Sequence, residues 1–229
     1  MTLARQVVAE LVGTAFLVAA VIGSGIMATR LTDDVGLQLL ANSVATGAAL
    51  VALILALHPV SAAFNPVVSL AEVILHRVPA SDATLMVIAQ LAGGVLGAVT
   101  ANLMFGLDAV TIASRDRSGG GLWLGEAVAT LGLVLVILGT ARSSRPQTVA
   151  LAVGGYIAAA YWFTSSTSFA NPAVTVARTL SDSFAGIAPS SAPMFILMQL
   201  VGGAAGLLLA RFLYDDLSPA PRRTEGAAA

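Results

Sequence analysis

An all-α membrane protein, with six transmembrane helices and two re-entrant half-helices in an inverted three-plus-three repeat, is the fold class this sequence predicts. Three observations carry that prediction. The 229 residues are 57% apolar and only 10% charged, whereas a soluble domain carries about 25% charge. Six stretches approach the roughly 20 apolar residues needed to cross about 30 Å of hydrocarbon. Three short blocks of the first half also return, in the same order, in the second.

The composition excludes several functions. With a formal net charge of −1 and no basic block, the chain has no footprint for nucleic acid. It has no cysteine, so disulfides, thiolate metal sites and thiol chemistry are ruled out. His58 and His76 are too few to form a metal cluster. No nucleophile–base pair stands out, so neither catalysis, metal nor cofactor is expected.

The expected spans are residues 7–28, 36–57, 83–105, 122–140, 148–163 and 193–213. Arg5 before the first apolar run has the look of a secretory signal, but Glu10 interrupts that run. Gly93-Gly94-x-x-Gly97 and Gly202-Gly203-x-x-Gly206 suit close helix packing in lipid. Residues 66–75 and 172–180 are apolar but too short to cross, and read as re-entrant half-helices. Six spans put both termini on one side, with Arg5, Arg77, Arg142, Arg145, Arg211, Arg222 and Arg223; only Arg30, Arg115, Arg117 and Arg178 lie elsewhere. That bias favours cytoplasmic termini and a multi-pass protein of the cell inner membrane. The connection 106–121 is expected as a solvated loop facing outward, and the tail 218–229 as disordered.

The repeat runs from about 5–105 to about 122–213 within one channel domain. Ala9-Glu10-Leu11-Val12-Gly13-Thr14 answers Gly125-Glu126-Ala127-Val128-Ala129-Thr130. Asn65-Pro66-Val67-Val68-Ser69 answers Asn171-Pro172-Ala173-Val174-Thr175, and Gln90-Leu91-Ala92-Gly93-Gly94 answers Gln199-Leu200-Val201-Gly202-Gly203. Three spans per half is an odd number, so the second half enters from the opposite face and the two half-helices meet near the midplane.

Asn is a strong N-cap and Pro is favoured at the first helical position, so each Asn-Pro reads as a helix start. Capping occupies the Asn oxygens and leaves two side-chain NH2 groups to donate to a passing solute. Each helix N-terminus carries roughly +0.5 of a charge, and two such ends converging in low dielectric disfavour cations, the hydrated proton included. A lone Asn-Pro is turn punctuation; two at equivalent repeat positions are a site. Glu10 and Glu126 lie inside spans with two roles open: accepting hydrogen bonds from loop N–H groups that have no water, or carrying protons in a coupled transporter. Their symmetric placement, with no basic partner in a span, favours loop bracing.

At these residues the chain resembles the major intrinsic protein family, the aquaporins and glycerol facilitators. Paired Asn-Pro motifs in an inverted repeat carry the resemblance from Arg5 to Leu213. It implies a pore through each protomer, a homotetramer, and a midplane formed by Asn65, Pro66, Val67, Asn171, Pro172 and Ala173. Val21-Ile22-Gly23-Ser24-Gly25-Ile26-Met27-Ala28 and the run from Thr164 to Thr175 are similar to the bacterial AqpS-type arsenical-facilitator branch. That similarity implies passive passage of arsenous acid or methylated arsenicals, with water and small polyols. The rivals are a water-selective or glycerol channel and, in another class, a proton-coupled secondary transporter using Glu10 and Glu126.

Several positions depart from the family pattern. Val174 stands where most members have Arg. Arg178 follows one turn later on the same helix face, either as a pore charge or as a helix-end charge paired with Asp182. Thr46 maps to the second-span constriction position. Ala159 maps to the fifth-span position, or Ala160 if the loop differs by one residue, and Ser168 or Phe169 to the loop position. The resulting constriction is expected to be wide and uncharged. Val67 is expected to add bulk beside the midplane, in a first-motif loop one residue shorter than usual. Trp162, Phe163 and Phe64 are expected at interfaces or in packing rather than lining the pore.

Overall fold

Hydrocarbon offers no partner for a peptide group, so a chain this apolar must satisfy its backbone within each element. The computed structural model describes residues 1–142, 146–214 and 217, and the regular structure among them is helical. In chain order the helices are α1 (Leu3–Leu31), α2 (Val35–Leu57), α3 (Pro66–Ile74), α4 (Ala80–Met104), α5 (Gly120–Thr140), α6 (Pro146–Phe163), α7 (Pro172–Arg178) and α8 (Ala192–Leu213). Five of them, α1, α2, α4, α5 and α8, are long and apolar enough to cross a membrane. The sixth long helix, α6, is the shortest at 18 residues, matching the short fifth stretch in the sequence.

The helices overrun the apolar stretches, because a helix continues through its polar first and last turns until a cap or a turn stops it. Asp34 caps α2 by accepting from the Leu37 N–H at 3.0 Å. The half-helices end sooner than the apolar pattern does. At α7, the carbonyls of Thr179 and Leu180 accept from Ala113 and Thr111, so the chain pairs with the 106–119 segment instead of adding a turn. The tail 218–229, read as disordered, lies outside the described residues.

Small residues set the packing. α1 lies against α4 and α5 against α8. A Cβ added at Gly93 or Gly97 would run into the Leu11 or Ala15 carbonyl, and at Gly202 or Gly206 into that of Ala127 or Leu131. These are equivalent residues of the two halves, so the same backbone-on-backbone contact is built twice. In lipid such contact, with dispersion and Cα–H···O interactions, replaces the hydrophobic drive available in water.

The connection 106–119 is mostly exposed, as expected of a solvated loop, but it is anchored to the rest of the protein at two points. Ala113 and Arg117 are buried. Ala188 N–H donates to the Arg115 carbonyl at 2.8 Å, and the Asp182 carboxylate accepts from the Ser114 N–H and hydroxyl at 2.9 and 3.0 Å. Two segments that would each expose backbone instead satisfy each other.

Replacing Gly93 or Gly202 by Leu should lower the melting temperature of the detergent-solubilised protein or prevent its recovery, since overpacking costs about 1–3 kcal/mol or more. Gly121→Ala, where a Cβ meets nothing within 4 Å, should leave it within about 0.5 kcal/mol of the parent.

Candidate functional site

Each half-helix opens as its residue types require. Asn65 Oδ1 accepts from the Val67 N–H at 3.0 Å, and Asn171 Oδ1 from the Ala173 and Val174 N–H groups at 3.0 and 3.2 Å, with proline in the first turn of both. The amide nitrogens then cross over. Asn65 Nδ2 donates to the Ala170 carbonyl and Asn171 Nδ2 to the Phe64 carbonyl, both at 2.7 Å. Sequence reasoning left both NH2 groups free; the structure spends one hydrogen of each on the opposite loop and leaves the other.

The accepting residues are themselves constrained. Phe64 and Ala170 have φ of +49° and +48°, a left-handed conformation that costs a side-chain-bearing residue roughly 1–2 kcal/mol. Both sides of each are held. Glu10 Oε2 accepts from the Phe64 N–H at 2.7 Å and Glu126 Oε2 from the Ala170 N–H at 2.9 Å, while the carbonyls meet the asparagines. Glu10 Oε1 also takes the Ala63 N–H and the Ser61 hydroxyl, and Glu126 Oε1 the Phe169 N–H. Gln90 links Glu10 to the Ser69 hydroxyl, and Gln199 links Glu126 to that of Thr175. The two glutamines stood in the repeated blocks, but nothing in the sequence assigned them this task.

A cavity of about 100 Å³ runs past the two asparagines. Its wall is largely aliphatic, from Leu17, Val21, Leu50, Ile54, Val68, Leu133, Ile137, Val149, Val153 and Ile157, with Thr46, Tyr161, Ser168, Phe169, Val174 and Arg178 toward one end. At the other end it joins a vestibule of about 680 Å³, sharing Ile54, Ala62, Ala63, Val68, Ile137 and Val149. Gln6, His58, Glu72 and Arg77 line the vestibule, which places it on the face of the termini.

The sequence-based assignments divide here. Asn65 and Asn171 reach the cavity, but Pro66, Val67, Pro172 and Ala173 do not line it. Val67 turns away, packing with Val134, Leu138 and Leu207 and filling the space left by the missing Cβ of Gly203. The bulk beside the midplane comes from Val68, about 100° around the helix from the expected face. Thr46, Ser168, Phe169 and Val174 do line the cavity.

Ala159 does not. It is exposed and Ala160 is buried without reaching the wall, because α6 presents Val153, Ile157 and Tyr161 to the cavity at four-residue spacing. That stripe is visible in the sequence and excludes Ala159, which lies across the helix from it. Tyr161 takes the place, its hydroxyl 3.1 Å from Thr46 Oγ1. Trp162 and Phe163 are exposed outward, with Trp162 Nε1 donating to Ser43 Oγ at 3.1 Å; Phe64 both packs against Gly13 and lines the wall.

Arg178 makes no ion pair with Asp182, whose carboxylate serves Ser114. It lies 2% exposed in the cavity wall, with its Nε on the Ala185 carbonyl and its guanidinium 3.3 Å from the centroid of the Phe169 ring. Arg117 approaches the same ring at 5.0 Å and donates from Nε to the Gly186 carbonyl at 2.9 Å. Burial, and then Arg178, pulls Arg117 down to about 9, which leaves it charged at neutral pH. The wide, uncharged constriction expected from Thr46, Ala159 and Val174 is therefore replaced by one edged by a phenol and a guanidinium. Among the described residues no cluster of three or more His, Cys, Asp or Glu is placed to hold a metal ion.

Six long helices and two half-helices that meet tip to tip beside a cavity joined to a vestibule define a membrane channel of the aquaporin type. The chain belongs to the major intrinsic protein family: the family profile matches residues 1–161 and again 143–228. It is 48% identical to aquaglyceroporin AqpS of Rhizobium meliloti, covering 97% of this chain and 95% of that one, which places it with the AqpS-type branch. It is also 29% identical to the probable aquaporin AqpM of Archaeoglobus fulgidus, over 95% and 98% of the two chains. The X-ray structure of the aquaglyceroporin from Plasmodium falciparum shares the fold, with a TM-score of 0.70 at 19% identity over 92% of this chain and 95% of that one. The protein is a multi-pass membrane channel for water and small solutes.

Glu126→Gln should fold less stably. The amide keeps one acceptor but turns an NH2 toward loop donors, and each buried donor orphaned costs about 1–3 kcal/mol. A melting curve in detergent that matched the parent would overturn the bracing geometry as a source of stability.

Proposed function

We propose that this channel passively conducts small uncharged solutes, with arsenous acid or methylated arsenicals as the cargo and water and small polyols alongside. One observation supports this above the others: two asparagine amides, each with one hydrogen committed and one left over, stand in a cavity whose wall is otherwise largely aliphatic. Such a wall repays no ion for its lost hydration. A neutral hydroxylated molecule gives up far less and regains hydrogen bonds at the two amides. The half-helix dipoles add a positive potential at the same place, unfavourable to cations.

The selectivity ring comprises Thr46, Tyr161, Ser168, Phe169 and Val174, with Arg178 as the pore charge. Val174 leaves room where an arginine would stand, favouring solutes larger than water. Glu10 and Glu126 act as braces. Their oxygens already accept loop N–H groups and a glutamine, an arrangement suited to bracing rather than to carrying protons. The termini face the cytoplasm at the cell inner membrane, four copies associate as a homotetramer, and the channel has no enzymatic step.

Proteoliposomes loaded in turn with water-permeability buffer, glycerol, arsenous acid and sodium chloride test the reading. Neutral-solute flux above protein-free vesicles, without ionic current, is expected. Accumulation of arsenous acid driven by a pH gradient would replace the channel with a coupled transporter. Val174→Arg should cut glycerol and arsenous acid flux about tenfold while sparing water, since a misfit in a narrow pore is worth about 10–200-fold. Equal loss of water and glycerol in folded protein would remove Val174 from the ring.

A further inference from the structure

At the mouth opposite the termini no described carboxylate forms an ion pair with a guanidinium. Among the described residues the one ion pair is Glu72–Arg77, on the face of the termini. Arg178 spends its Nε on Ala185, and its two Nη groups have no acceptor. The guanidinium groups of Arg117 and Arg115 donate to the carbonyls of Gly186 and Phe184. The carboxylates nearby are not neutralised by their hydrogen bonds but touch other groups: Asp116 accepts from the Ser118 and Ser191 hydroxyls, Asp182 from Ser114, and Glu126 from the loop and Gln199. A buried guanidinium without a counter-charge is costly, and the cost is relieved by an anion that can reach it.

The same wall holds a second unsatisfied group. Ser168 is buried and lines the cavity with Arg178, and its hydroxyl has no hydrogen-bond partner. We propose that this mouth contains a binding site for a small monovalent inorganic anion, formed by Arg178 and the Ser168 hydroxyl with Arg117 behind them, and that an anion seated there slows the passage of neutral solutes. The anion sits beside Thr46, Tyr161 and Val174, where the cavity is shared with any solute entering from that side. The aliphatic stretch beyond offers it no further counter-charge, so it binds and leaves by the same mouth. For its flux readout the inference rests on the channel reading above.

Glycerol flux in proteoliposomes of the full chain tests it, with sodium gluconate replaced stepwise by sodium chloride on both sides at fixed ionic strength. Gluconate is too large to enter. A several-fold, saturating loss of flux in chloride is expected for the parent. The loss should be absent in Arg178→Gln, weakened in Ser168→Ala and retained in Arg5→Gln, whose exposed charge lies on the opposite face. The chloride NMR line width of the detergent-solubilised protein reads the same site without transport: broadening in the parent, relieved by nitrate and lost in Arg178→Gln. Should Arg178→Gln fail to fold, Ser168→Ala and Arg117→Gln carry both measurements. Glycerol flux that is present but equal in the two salts overturns the inference, as does an unchanged chloride response in Arg178→Gln or a chloride current through the pore. Absence of glycerol flux in every medium would instead overturn the channel reading, and the line width would still decide the site.

Discussion

The structure depends on a reciprocal pair of hydrogen bonds halfway through the bilayer. Asn65 holds the loop before Asn171, and Asn171 holds the loop before Asn65. Neither half can place its half-helix alone, because the residue that must adopt a left-handed backbone in one loop is fixed at its carbonyl by the other half and at its N–H by a glutamate of its own. In water such bonds would be worth little, since solvent would compete for every donor. Here the bonds are buried, and the loops would otherwise bury bare peptide groups. The cavity is thus a by-product of satisfying the backbone: the two tips cannot merge without breaking those bonds, and the space beside them stays open.

Much of this was legible in the sequence. Apolar length gave the number of helices, and the paired Asn-Pro blocks gave the meeting point. Glu10 and Glu126 were readable as acceptors because an unpaired carboxylate in a span has few other uses. What was not legible depended on rotation about a helix axis. Val67 and Val68 are neighbours of identical chemistry, and only the docking of α3 against α5 and α8 decides which one faces the cavity. Counting back from Asn171 placed Ala159 in the constriction, whereas the Val153–Ile157–Tyr161 stripe was the better guide, because it tracks the helix face itself. The burial of Arg117 was also out of reach, since it depends on how the 106–119 segment pairs with residues 179–191, a contact with no periodic signature.

The two mouths differ in electrostatics although the halves match in architecture. Glu72 and Arg178 occupy the same register on their half-helices. Glu72 is neutralised by Arg77, which also donates to the Leu217 carbonyl and so ties the first half-helix to the end of the described chain. Arg178 meets the face of the Phe169 ring and the Ala185 carbonyl oxygen instead. A near-symmetric scaffold therefore carries unlike half-helix ends: a self-contained ion pair at one, and at the other a guanidinium that touches no carboxylate.

The fit of Val67 against Gly203 makes the halves complementary rather than interchangeable. In the second half the corresponding neighbours are Ala173 and Gly94, where the Ala173 carbonyl and the Ala177 methyl approach the glycine instead of a branched side chain. Duplicating the second half would leave a hollow the size of the isopropyl group's extra methyls beside α8. Duplicating the first would press a valine where α4 already meets backbone. Each half is shaped to the other at this seam, so the side chain that fits on one side is set by the space left on the other.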